Sequence, residues 1–171
     1  MKKTLTVRQA TELFSFLSSL DKQRDDAGNI VAVNKNRITD RRVRAAVIDN
    51  IIALLPVKET FARKYKELQN QYFSDSYKEL LKQRVRAEQT NDSAALADIN
   101  KAIMDEEAVF ADEYNASFTK IQNEEVEVDL VEIDRNDFDA ATEACDFSLR
   151  VYVDFAFMFK TDKTGGENGK N

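Results

Sequence analysis

Over residues 57–122 apolar side chains recur at helical spacing, and one polar run, Thr90-Asn91-Asp92-Ser93, separates two long stripes. Two long amphipathic helices with so short a connection fold back on each other, so the stretch predicts an antiparallel helical hairpin. The outgoing stripe is Phe61, Tyr65, Leu68 and Tyr72, then shifts by one to Phe73, Tyr77, Leu80, Leu81 and Val85. The shift falls at Ser74-Asp75-Ser76, and Ser76 with Glu79 has capping-box spacing, so a kink or break is expected there. The return stripe is Leu96, Ile99, Ile103, Phe110, Tyr114, Phe118 and Ile121. Glu106 falls in core phase, which points to an ordinary hairpin rather than a heptad zipper. Phe61, Tyr65, Tyr72 and Tyr77 follow the core period, so they read as packing rather than as stacking platforms for single-stranded nucleic acid.

Shorter elements flank the hairpin. Leu5, Leu13, Phe16, Leu17 and Leu20 predict a first helix over 5–20 with Thr6 as its cap. Asp26, Gly28 and Asn29 signal a turn, without the ligand spacing of a calcium loop, and Ile30–Val33 reads as a short strand or extended loop. Thr39 and Asp40 then start a second helix to about Leu55, with Val43, Val47, Ile48, Ile51, Ile52 and Leu55 as its buried stripe; Pro56 ends it or opens the next. Beyond Asn123, EVEVDLVEI alternates Val126, Val128 and Leu130 with acids, the period of a half-buried strand. Asn136 caps a short helix. Over 149–159 every odd position is apolar, which favours a strand at the start, with a helical end as the alternative. The fold class expected is mainly α: an antiparallel helical hairpin, additional N-terminal helices and a small C-terminal β element, as one helical domain over 1–160 with a flexible tail over 161–171.

Composition narrows the chemistry. The 171 residues include no His, no Trp and one Cys, which excludes a histidine-based triad, a His-ligated zinc or haem, and a Cys-rich secreted scaffold. Cys145 lies between Glu143 and Asp146, acids that disfavour a thiolate, so it reads as a structural thiol in a reducing compartment. No apolar run approaches the roughly 18 residues of a membrane span. The tail TGGENGKN lacks phosphate-loop spacing, and no helix follows it. Asp105, Glu106, Asp112 and Glu113 read as a solvated helix face rather than a metal site. The expectation is a cytoplasmic, non-enzymatic protein with no cofactor, no metal and no membrane partner.

Charge is unevenly laid out. The net charge is −6, yet residues 1–91 carry 18 basic against 11 acidic side chains, and residues 92–171 carry 7 against 20. Inside the hairpin, Lys78, Lys82, Arg84 and Arg86 are expected to pair with Asp98, Asp105, Glu106, Glu107, Asp112 and Glu113, each exposed pair adding only ~0 to 1 kcal/mol. Lys35, Arg37, Arg41, Arg42 and Arg44 cluster at the start of the second helix, against the positive end of its dipole. Either acidic partners from the chain, solvent, or a bound phosphate offsets them, and the last makes a candidate nucleic-acid site. Glu124, Glu125, Glu127 and Asp129 border an apolar strand edge that can add to a partner's sheet, while the same acids also deter unwanted edge pairing. Three readings follow: a protein that binds a protein partner through the acidic strand, a nucleic-acid-binding accessory protein using the basic cluster, and an assembly component that self-associates through its opposite-charge halves.

At ALLPVKETFARKYKEL, residues 53–68, the chain resembles a family of small uncharacterised bacteriophage proteins. The likeness is one of layout over roughly 53–160: a Leu-Pro-Val/Ile-Lys step into a long helix, an acidic alternating segment similar to NEEVEVDLVEI, and a hydrophobic end like VDFAFMF. This chain departs from it by an extra segment from about Asp21 to Ala53 and a longer helical middle. The resemblance implies a phage origin, hence the host cytoplasm, and a helical end to the last segment. It implies no catalytic residues and carries over no function.

Overall fold

The computed structural model describes residues 1–20, 22–24, 30–33, 37–145 and 147–160. In order, the elements are β1 (Lys2–Thr6), α1 (Val7–Leu17), β2 (Lys22–Arg24), β3 (Ile30–Val33), α2 (Arg41–Tyr72), α3 (Asp75–Thr90), α4 (Ser93–Gln122), β4 (Glu125–Asp129), α5 (Arg135–Ala141) and α6 (Val151–Asp154), with a 3₁₀ turn at Ala156–Met158. The protein is therefore mainly helical with a minor β component. It divides into two compact units: Met1–Lys58 with the chain from Glu125 onward, and Glu59–Glu124. Helix α2 contributes to both. The turn expected at Asp26, Gly28 and Asn29 and the tail over 161–171 lie outside the described residues.

The Glu59–Glu124 unit is the antiparallel hairpin. Its seam is aromatic: Phe61 and Tyr65 pack on Phe118, Tyr72 on Tyr114, and Phe73 and Tyr77 on Phe110, so rising positions on one arm meet falling positions on α4. The break is at Phe73 and Ser74, but the capping residue is Ser74 rather than Ser76: its hydroxyl accepts from the Tyr77 N–H at 2.9 Å. Ser74 competes better because its extended backbone (φ −61°, ψ 161°) aims Oγ at the first free amides. Core-phase Glu106 is satisfied at the same place, accepting from the hydroxyls of Ser76 and Ser74, which hold its carboxyl below the usual range. The reverse turn uses Asn91 at φ 52° and Asp92 as cap of α4. The charge pairing expected across α3 and α4 takes another form. Lys82 and Arg84 pair within their own helix, with Glu79 and Glu88, while hydroxyls bridge the helices, Tyr77 to Glu107 and Ser74 to Glu106. Hydroxyl bonds at the seam cost less side-chain entropy than long ion pairs at the rim.

In the first unit, Leu5, Leu13, Leu17, Val43, Val47, Leu54, Val128, Leu130, Phe138 and Met158 form one core. Five sequence expectations differ from the fold. First, residues 2–6 are a strand: Leu5 belongs to β1, which pairs antiparallel with β4, and the helix begins only at Val7. Thr6 does cap it, with Gln9 closing a capping box. A strand showing one buried apolar residue has no local signal; its partner lies some 120 positions away. Second, α2 continues through Pro56. The amide that proline lacks would have bonded the Ile52 carbonyl, and Ile52 is on the solvent side, where water can take that role. Third, the buried stripe of α2 is Val43, Val47, Asn50 and Leu54, while Ile48, Ile52 and Leu55 face outward. Fourth, the segment from 149 is helical at its start, α6 followed by the 3₁₀ turn, and only Phe159 makes a β-bridge, to Ile133. Val151, Tyr152, Phe155, Met158 and Phe159 are buried at helical spacing while Leu149 and Val153 are exposed, because Phe16 offers a ring for Phe155 to stack on at 5.3 Å. Fifth, the short helix before it is capped by Asp134, not Asn136.

Candidate partner-binding site

The acidic strand is built by its pairing with β1. Lys2 stands opposite Asp129, Thr4 opposite Glu127 and Thr6 opposite Glu125. One step beyond, Met1 and Leu130 exchange both backbone bonds, Leu130 N–H to Met1 carbonyl at 3.0 Å and the Met1 amine to Leu130 carbonyl at 2.6 Å. In an antiparallel ladder such reciprocal pairs alternate with pairs whose amides and carbonyls point away. Val126 and Val128 therefore bond toward β1, and the backbone groups of Glu125, Glu127 and Asp129 point to the opposite edge. Among the described residues no strand lies on that edge, since the sheet has the two strands β1 and β4.

The edge is closed at one end. Val131 has the same outward parity, and the buried Asn50 of α2 takes both its groups: the Val131 N–H donates to Asn50 Oδ1 at 2.7 Å and Asn50 Nδ2 donates to the Val131 carbonyl at 3.0 Å. A side-chain amide thus substitutes for the next strand at 131. Sequence reasoning passed over Asn50, although a polar residue inside VIDNIIALL at core phase was a signal.

Of the four acids singled out on the strand, three share a face. Glu125, Glu127 and Asp129 are exposed on the solvent face of β4. Lys2 approaches Glu127 at 3.7 Å, and the Met1 amine lies 2.8 Å from Asp129 and, chiefly by hydrogen bonding, holds its carboxyl below the usual range. Glu124 belongs to the other unit and is paired with Lys64 there.

The basic cluster is dispersed by its contacts. Lys35 lies outside the described residues. Arg37 clamps backbone carbonyls, Nη1 on Lys22 at 2.6 Å with Nε and Nη2 on Ala144, and Arg44 closes on the Ile38 carbonyl at 3.1 Å from Nε. Arg41 and Arg42 are exposed. The anion at this helix start is in the chain itself: Asp40 accepts from the amides of Arg42 at 2.7 Å and Val43 at 2.9 Å, and these bonds hold its carboxyl below the usual range. That offsets the unfavourable dipole contact of the arginines. Cys145 is half-buried, with Sγ 3.3 Å from the Leu20 carbonyl and 3.8 Å from that of Arg37, as a packed structural thiol would be.

Among the described residues no three His, Cys, Asp or Glu side chains are grouped to hold a metal ion, and no helix is long and apolar enough to cross a membrane. No family model matches the chain, and no curated protein or solved structure matches it.

Proposed function

We propose that this is a non-enzymatic, phage-encoded interaction protein that acts in the host cytoplasm by binding a protein partner, which adds an extended segment to the free edge of β4. The open edge carries the reading. Three residues, Glu125, Glu127 and Asp129, direct backbone donors and acceptors away from β1, while Asn50 closes the edge two residues further on. Main-chain bonds would supply affinity, and the acids on the solvent face would select a segment with Lys or Arg at alternate positions. The phage origin rests on the resemblance at residues 53–68.

The test uses Glu127→Pro. Proline removes the one outward amide at mid-strand and leaves the bonds of Val126 and Val128 to β1 intact. An immobilised panel of extended peptides alternating Lys with Val or Thr should bind the wild-type chain in a salt-sensitive manner and fail to bind Glu127→Pro. Equal retention of both proteins would remove the edge as the site. For nucleic acid, Arg41 and Arg42 are the members of the cluster left facing outward among the described residues, so Arg41→Glu with Arg42→Glu is the matching control.

A further inference from the structure

Between Arg41 and Lys58, α2 has two apolar faces. The inner one is in the core. The outer one, on the opposite side, carries exposed Ala45 together with Ile48, Ile52 and Leu55 at 49%, 62% and 40% exposure. A solvated helix face does not ordinarily present three large aliphatic side chains in register, and such patches mark contact surfaces. Their spacing of three, four and three is the narrow seam of helix pairing rather than the broad stripe that faces a globular core.

We infer that two copies of this chain pair through this seam, with their α2 helices antiparallel about a two-fold axis at the level of Asn50. The seam is symmetric about that level. An antiparallel partner sets Ile48 against Ile52 of the second copy and small Ala45 against large Leu55, so each layer is apolar and no two alanines meet. A parallel pair would leave a gap between two alanines. It would also bring two sets of Arg41, Arg42 and Arg44 together at the positive ends of both helix dipoles, and the antiparallel arrangement keeps them apart. The flanking Asp49 approaches its own copy near the axis, a repulsion that limits affinity. Two heptads cover well under the about 800 Å² per partner of a standard interface, so the association is weak and concentration dependent.

Sedimentation equilibrium from micromolar to sub-millimolar protein tests this, with circular dichroism to confirm that each variant folds. The wild-type chain should shift from monomer to dimer across the range. Ile52→Glu, at the most exposed position, should remain monomeric with an unchanged spectrum, and Ala45→Glu should do the same. Asp49→Asn should tighten the dimer several-fold. A wild-type monomer throughout, or a dimer that survives Ile52→Glu, would overturn the pairing. Weakening by Asp49→Asn would overturn the antiparallel register, because a parallel seam places Asp49 beside Arg44 of the second copy. None of these substitutions touches β4, so the result stands or falls apart from the peptide test above.

Discussion

Asn50 and Val131 are joined by two hydrogen bonds across 81 positions of sequence, at 2.7 and 3.0 Å, with the carboxamide fully buried. This pair ties α2 to the chain leaving β4 and stops the sheet from accepting another strand there. Asn50→Leu keeps the branched shape and orphans one amide and one carbonyl. The expected cost is about 2 kcal/mol, since each of the two groups left unsatisfied costs about 1–3 when fully buried and these bonds are only part-buried. Urea unfolding should show a lower midpoint at an unchanged slope.

Pro56 interrupts the hydrogen bonding of an otherwise continuous 32-residue helix. Pro56→Ala restores the amide to the Ile52 carbonyl and should stabilise the chain by about 1–3 kcal/mol. A higher thermal midpoint checks this; a lower one would mean the proline geometry is itself required by the packing of α2.

Ser74 caps α3 and also donates to Glu106 at 2.8 Å. Ser74→Ala should cost about 1 kcal/mol, the usual loss for a helix cap. Ser76→Ala should cost less, since Ser76 reaches Glu106 without capping the helix, and comparing the two melts identifies the cap.

Acid should loosen two places with the same sign. Asp40 and Glu106 both titrate below their ordinary values of 3.8 and 4.5 in the folded chain. Their contribution is present above those values and is lost as pH falls through the lower folded ones. Asp40→Asn keeps an acceptor at the cap without the charge, so its stability should fall less steeply on acidification than that of the wild type.

Alkali acts on the tyrosines. Burial, then hydrogen bonding to Glu107, pushes the Tyr77 hydroxyl up to about 12, and burial with Asp139 does the same for Tyr152. Their stabilising contribution is complete below pH 10.0, the ordinary value, and declines from there through about 12. Phenolate absorbance should therefore rise late and together with loss of helix. Tyr77→Phe removes one of these late transitions and should leave the alkaline midpoint less sensitive to pH.

Sequence alone determined the elements whose signals are local. The helical stripes of the hairpin, its polar turn at 90–93, the break near Ser74, the Thr6 cap and the alternation of Val126, Val128 and Leu130 are each legible from nearby positions, because helix periodicity, caps and strand alternation are properties of neighbouring residues. Tertiary structure decided the rest. Residues 2–6 become a strand because β4 is there to bond them, and 151–158 coil because Phe16 and Phe138 offer rings at helical rather than alternating positions. α2 is apolar on both sides, so periodicity could not say which side is core; contact with Leu130, Phe138 and their neighbours chose Val47 and Leu54 and left Ile48 and Ile52 outside. The same holds for charge. Composition showed that arginines gather before α2, but only the folded backbone could bring the carbonyls of Lys22, Ala144 and Ile38 to Arg37 and Arg44 and leave Arg41 and Arg42 to solvent. A one-dimensional pattern records what each side chain prefers, and the partner it finds depends on segments distant in sequence that meet only when the chain is folded.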